Sequence, residues 1–166
     1  MTDRKRRFLT GALSLYIAFV FIQSLFFKFT DSPETQYIFG TLNAWAASLG
    51  FAGLFAPNGI FSQYVVGSAE LVASVLLLAG LFTGRISLQA AGALLALGVI
   101  SGAIFFHLFT PLGVQVVNTD GSLDGGQLFA LACGVWIASV TILALHRSTL
   151  LAVLPFGRSS VGLKRS

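Results

Sequence analysis

The chain has 166 residues, of which 55% are hydrophobic and 10% charged, against roughly 25% charged in an ordinary soluble domain. At a mean hydropathy of +0.86, a water-soluble chain of this size lacks the polar side chains to cover itself, and disorder is excluded because it needs low hydrophobicity and high charge. The single cysteine, Cys133, excludes a disulfide framework and a cysteine-based zinc cluster.

Residues 1–7 form a basic N-terminus containing Arg4-Lys5-Arg6-Arg7. The apolar run 8–27 follows. It is longer than the about 7–15 residues of a signal-peptide core, and Phe26-Phe27-Lys28 offers no small-residue cleavage site, so a retained membrane span is expected. The segment 28–64 then carries a helix signal. Ser32 is placed to cap, Pro33 to occupy the first helical position and Glu34 the first turn. Ile38, Leu42, Trp45 and Leu49 share one helical face, and Gly50 can end the helix. This predicts an amphipathic helix over 33–49, too short and polar to span and therefore expected at the outer interface.

Runs 65–82 and 86–109 are joined only by Thr83-Gly84-Arg85, so they must be antiparallel neighbours. In the segment 110–126, Val114-Gln115-Val116-Val117 before Asn118 and Gly121 suggests a small hairpin, while Asp124 with Gln127 resembles a capping box opening the last run, 127–145. A basic tail, 148–166, closes the chain. The four runs are close to the about 20 residues that cross about 30 Å of hydrocarbon, and barrel-type alternation is absent. The predicted class is all-α: an integral membrane four-helix bundle with an amphipathic interfacial helix between the first two spans. Small-residue ridges at Gly98/Gly102, Ala130/Gly134/Ala138 and Ala69/Ala73 can bring backbones together, within the bundle or in a homo-oligomer.

Nine of the ten cations fall on one side if the N-terminus is cytoplasmic: Arg4, Lys5, Arg6, Arg7, Arg85, Arg147, Arg158, Lys164 and Arg165. Lys28 alone lies on the other, with Asp31, Glu34, Asp120 and Asp124. The positive-inside rule then predicts both termini in the cytoplasm. The pI of 9.7 thus concerns topology, with the lipid bilayer rather than nucleic acid as partner.

Within the four runs the sole formal charge is Glu70. It sits roughly 9–15 Å below the outer end of its span at 1.5 Å per residue. There a carboxylate is costly unless paired, protonated or hydrated, which makes proton exchange a candidate role. The alternative is a neutral Glu70 hydrogen-bonded to a serine or backbone carbonyl of a neighbouring helix. His107, Lys28, Gln23 and Gln127 lie towards the outer ends of their spans, and Ser101 lies nearer the depth of Glu70. The inner halves are almost wholly apolar. This asymmetry predicts an outer cavity with Glu70 at its floor and His107 and Lys28 at its mouth. Taken alone, Lys28 reads as an interfacial snorkel, and His107 equally as an interfacial histidine or a working one. His107 and His146 lie at opposite membrane faces, so they cannot share a haem, and Cys133 has no C-x-x-C partner. No phosphate-binding loop, dinucleotide fingerprint or H-E-x-x-H occurs, and no metal site is expected.

Four stretches carry a resemblance: Ser24-Leu25-Phe26-Phe27-Lys28-Phe29, Val66-Gly67-Ser68-Ala69-Glu70-Leu71, Leu78-Ala79-Gly80-Leu81-Phe82-Thr83-Gly84-Arg85 and Ser101-Gly102-Ala103-Ile104-Phe105-Phe106-His107-Leu108. Over residues 8–147 the chain resembles the DoxX-like family of small four-helix bacterial membrane proteins, with Lys28, Glu70, Arg85 and His107 at the matching positions. The resemblance implies a bundle in the bacterial cytoplasmic (inner) membrane. Some members are described as membrane subunits of thiosulfate:quinone oxidoreductase, and others accompany redox or oxidative-stress proteins. It transfers no catalytic residue as such. The leading expectation is a redox-associated membrane subunit that binds a quinone or similar lipophilic carrier. Glu70 would exchange protons, and His107 or Lys28 would hydrogen-bond a carbonyl oxygen. With no intrinsic cofactor, it would need a redox partner protein. The rivals are a non-enzymatic binder, transporter or export accessory for a small solute, and an assembly scaffold.

Overall fold

The computed structural model describes residues 2–118 and 120–147; the basic tail 148–166 lies outside the described residues. Five helices follow in chain order: α1 Asp3–Phe29, α2 Pro33–Ser48, α3 Gln63–Thr83, α4 Ile86–Phe109 and α5 Gln127–Leu145. Among the described residues, α1, α3, α4 and α5 are long and apolar enough to cross a membrane. They pack as a bundle in which α1 and α4 each contact both α3 and α5. The chain is therefore an all-helical, multi-pass membrane protein.

Helix α1 begins at Asp3, five residues before the apolar run, because Asp3 suits the positive end of a helix and Lys and Arg are good helix formers. At 27 residues it is about 40 Å long, more than the about 30 Å hydrocarbon layer, so its arginine-bearing end extends past the apolar zone. Helix α3 starts where the Ser62 side chain accepts from the Val65 N–H at 3.3 Å, and it stops at Gly84, φ 68°. That left-handed cap suits glycine. The turn into α4 also needs Gly80: a Cβ there would lie 2.5 Å from the Gln89 backbone nitrogen.

The core is a column of Ile17 and Phe21 from α1, Ala73 and Leu77 from α3, Ala93 and Ala96 from α4, and Val135 and Ile142 from α5. Small residues let the backbones approach, which matters in lipid because apolar side chains gain little by leaving it. The small-residue ridges divide between the inside and the outside of the bundle. Ala73 and Ala138 are buried and Gly134 faces the Tyr16 ring, but Gly98 and Gly102 point into open space. On α4, Gly92 fills the close-contact role instead, where a Cβ would lie 2.9 Å from the Ala73 carbonyl oxygen. Large apolar side chains such as Phe19, Phe26, Val75, Leu94 and Ile137 are exposed around the bundle, a surface suited to lipid and unsuited to water.

Helix α2 starts as expected at Ser32 and Pro33, with Ser32 accepting from the Thr35 N–H. Its Ile38, Leu42 and Trp45 join Phe55, Leu112 and Phe106 in a second apolar cluster, while Leu49 caps the helix and is exposed. The apolar face of α2 thus packs on protein. The hairpin reduces to one bridge, Val117 to Leu123. Asp124 departs from a capping box. Gly126 is the N-cap residue of α5, and the Asp124 carboxylate reaches past it to the Leu128 N–H at 3.0 Å while also accepting from Val116 and Gly126 at 2.9 Å.

Candidate functional site

A polar seam runs between α1 and α3 at the end where α1 finishes. On α3 it is built from Gln63, Gly67, Glu70 and Ser74, which lie at i, i+4, i+7 and i+11 and so share one face; all four are buried. On α1, Ser24 and Lys28 are one turn apart. The Lys28 ammonium lies 3.0 Å from Glu70 Oε2 and 3.1 Å from Oε1. Ser24 donates to Oε2 at 3.1 Å and accepts from Lys28 Nζ. The lysine stem passes Gly67, where a Cβ would meet Lys28 Cδ at an ordinary contact distance of 3.5 Å.

The seam continues to the helix end. Gln63 Nε2 donates to the Lys28 carbonyl at 3.1 Å and to Asp31 Oδ1 at 2.9 Å. Gln36 of α2 donates to the Asp31 carbonyl at 2.9 Å and to Oδ2 at 3.2 Å. Asp31 has a left-handed backbone, φ 51°, tolerable for a short polar side chain. It ties the ends of α1, α2 and α3 together. Glu70 itself is 5% exposed, whereas the Lys28 side chain is 15% exposed. The pair is therefore reached from the lysine side.

The expected cavity is not what surrounds Glu70. Lys28 closes directly onto the carboxylate rather than standing at a mouth above it. His107 is buried at the end of α4, with Nδ1 2.6 Å from the Gly113 carbonyl oxygen and its ring edge-on to Phe129 of α5. A carbonyl only accepts, so Nδ1 carries a proton. His107 thus belongs to a cluster with Asp124, whose carboxyl is pushed up by burial and pulled down more strongly by the Leu128, Val116 and Gly126 N–H groups and the nearby His107, for a net lowering. Gln23, Ser101 and Gln127 are exposed on the outside of the bundle, and the fold does not bring them to Glu70. Ser24, Gln63 and Asp31 stand in the seam instead, where Gln23, Ser101 and Gln127 were expected.

Chemically, the seam is a neutral ammonium–carboxylate pair in an apolar wall, with N–H donors on Lys28 and a proton acceptor on Glu70. Among the described residues no group of three or more His, Cys, Asp and Glu side chains could hold a metal ion. In comparisons with known proteins, no family model, curated protein or solved structure matches the chain.

Proposed function

We propose that the protein is a DoxX-like membrane subunit of a redox system, seated in the bacterial cytoplasmic membrane with both termini inside, and that the Lys28–Glu70 pair binds the head of a quinone or similar lipophilic carrier. One observation supports this most: an ion pair is kept in the apolar wall between α1 and α3, its carboxylate buried and its ammonium still partly open. Replacing such a pair by apolar side chains is often neutral or stabilising, so stability alone gives little reason to keep it. Lys28 would donate to a carbonyl oxygen of the carrier. Glu70 would take up or release the proton at that oxygen, and a partner protein would supply or remove the electrons.

The test uses the intact membrane complex and the double variant Lys28→Met/Glu70→Leu, which removes both charges together and leaves no unpaired one. Photolabelling by a quinone analogue should drop at least about tenfold in this variant while the bundle stays folded. Labelling equal to wild type would end the proposal.

A second reading has its own support. Lys28, Ser24 and Glu70 satisfy one another, as a packing device would require. An assembly scaffold predicts that the double variant keeps quinone labelling and loses partner association.

A further inference from the structure

A second polar cluster lies at the opposite end of the bundle, where α1 begins, α3 turns into α4 and α5 finishes. A cleft of about 260 Å³ opens there, lined by Arg6, Arg7 and Thr10 of α1, Gly84 and Ile86 of the turn, and His146 after α5. Arg6 Nη2 donates to the Leu145 carbonyl and lies 3.3 Å from His146 Nδ1. A guanidinium has donors only, so Nδ1 must offer its lone pair and Nε2 must carry the hydrogen. Burial first, and the Arg6 charge second, hold the His146 pKa below its ordinary value, in keeping with a neutral ring.

Among the described residues, two N–H donors in this cleft are without a partner: Arg6 Nε and His146 Nε2, both buried. His146 is 3% exposed, so its orphan donor is not simply in water. Buried donors are nearly always satisfied, and those left over call for an acceptor. The charge of the region specifies which kind. Arg4, Lys5, Arg6, Arg7, Arg85 and Arg147 cluster at this end. Asp3, also in the cleft lining, is exposed and screened by solvent.

We propose that this cleft is a phosphate-group site, with Arg6 Nε and His146 Nε2 donating to phosphate oxygens and Arg7 supplying charge from the rim. Leu81 and Ile86, which form apolar wall in the same cleft, suit a phosphate that carries a glycerol and acyl chains. Basic clefts between membrane helices hold anionic headgroups in this way. The site is distinct from the Lys28–Glu70 seam and independent of its function.

The test is native mass spectrometry of the full-length protein in detergent, with phosphatidylglycerol or phosphatidylcholine added, alongside thermal melts with and without inorganic phosphate. Wild type should retain one phosphatidylglycerol about tenfold better than phosphatidylcholine. Arg7→Gln and His146→Leu should each reduce retention by about fivefold or more, whereas Arg85→Gln, which removes the same charge outside the cleft, should change it less than about twofold. Protection by inorganic phosphate that His146→Leu abolishes, without lipid retention, would support the site with a soluble source. The absence of both lipid retention and phosphate protection would overturn the proposal, as would an equal loss in Arg85→Gln. Arg6→Gln is a further variant, but because Arg6 also holds the end of α5, Arg7→Gln and His146→Leu are the deciding pair.

Discussion

Lys28 and Glu70, 42 positions apart in the chain, meet with both carboxylate oxygens within 3.1 Å of the ammonium. The contact fixes how α1 stands against α3, because the ammonium bridges both carboxylate oxygens from the facing helix. Removing one partner strands a charge inside the bundle. Glu70→Gln and Lys28→Met should each destabilise by about 3 kcal/mol, the lower end for a broken buried pair since Lys28 is partly open. Lys28→Met/Glu70→Leu should return to within about 1 kcal/mol of wild type. Reversible unfolding in mixed micelles measures all three, and additive losses in the double variant would contradict the coupling.

The glycines divide by what surrounds them. Gly80→Ala would force a Cβ to 2.5 Å from the Gln89 nitrogen, a backbone atom that cannot swing aside. It should cost about 1–3 kcal/mol. Gly98→Ala meets nothing within 4 Å and should leave the melting temperature of the detergent-solubilised monomer unchanged or slightly raised.

Asp124 holds the start of α5 to the segment before it. Asp124→Ala leaves the Val116, Gly126 and Leu128 N–H groups short of an acceptor and should cost about 1–3 kcal/mol. Because the folded carboxyl titrates below its ordinary 3.8, the carboxylate's contribution is complete above that value and disappears as pH falls through the folded pKa. Melts from pH 7 to 3 should show this acid loss in wild type and a weaker one in Asp124→Asn.

His146 gives a pH dependence in a different window. Its folded pKa lies below the ordinary 6.5, so the unfolded chain takes up the proton first. Stability is then full above about 6.5 and falls as pH drops towards the folded pKa. Arg6, Arg7 and Asp3 are the other charged groups lining its cleft. His146→Gln should flatten the melting curve between pH 7 and 5, read with no phosphate or anionic lipid present.

The four spanning helices are legible in the sequence because apolar length is a local property. The ranges 86–109 and 127–145 coincide with α4 and α5, and Ser32-Pro33 starts α2. Helix α1 starts earlier than its apolar run for a physical reason: hydropathy marks where lipid is tolerated, while backbone hydrogen bonding carries the helix through Arg4–Arg7. Glu70 stands out as the charge that hydrocarbon would penalise. Its hydroxyl partner Ser24 does not, because a turn of about 100° per residue separates exposed Gln23 from inward Ser24, and only the facing helix says which of the two is inside. Depth alone draws His107 towards the same site, whereas its ring turns towards Gly113 and Phe129.

A multi-pass helical bundle, the order and span of its helices, and Glu70 as the sole formal charge in the apolar runs are all legible along the chain, because each follows from the cost of polar groups in lipid. Tertiary structure decided the rest, through rotation and register between helices distant in the chain. It joined Lys28 and Ser24 to Glu70, left Gln23, Ser101 and Gln127 on the outside, and brought Arg6 to His146 across 140 residues.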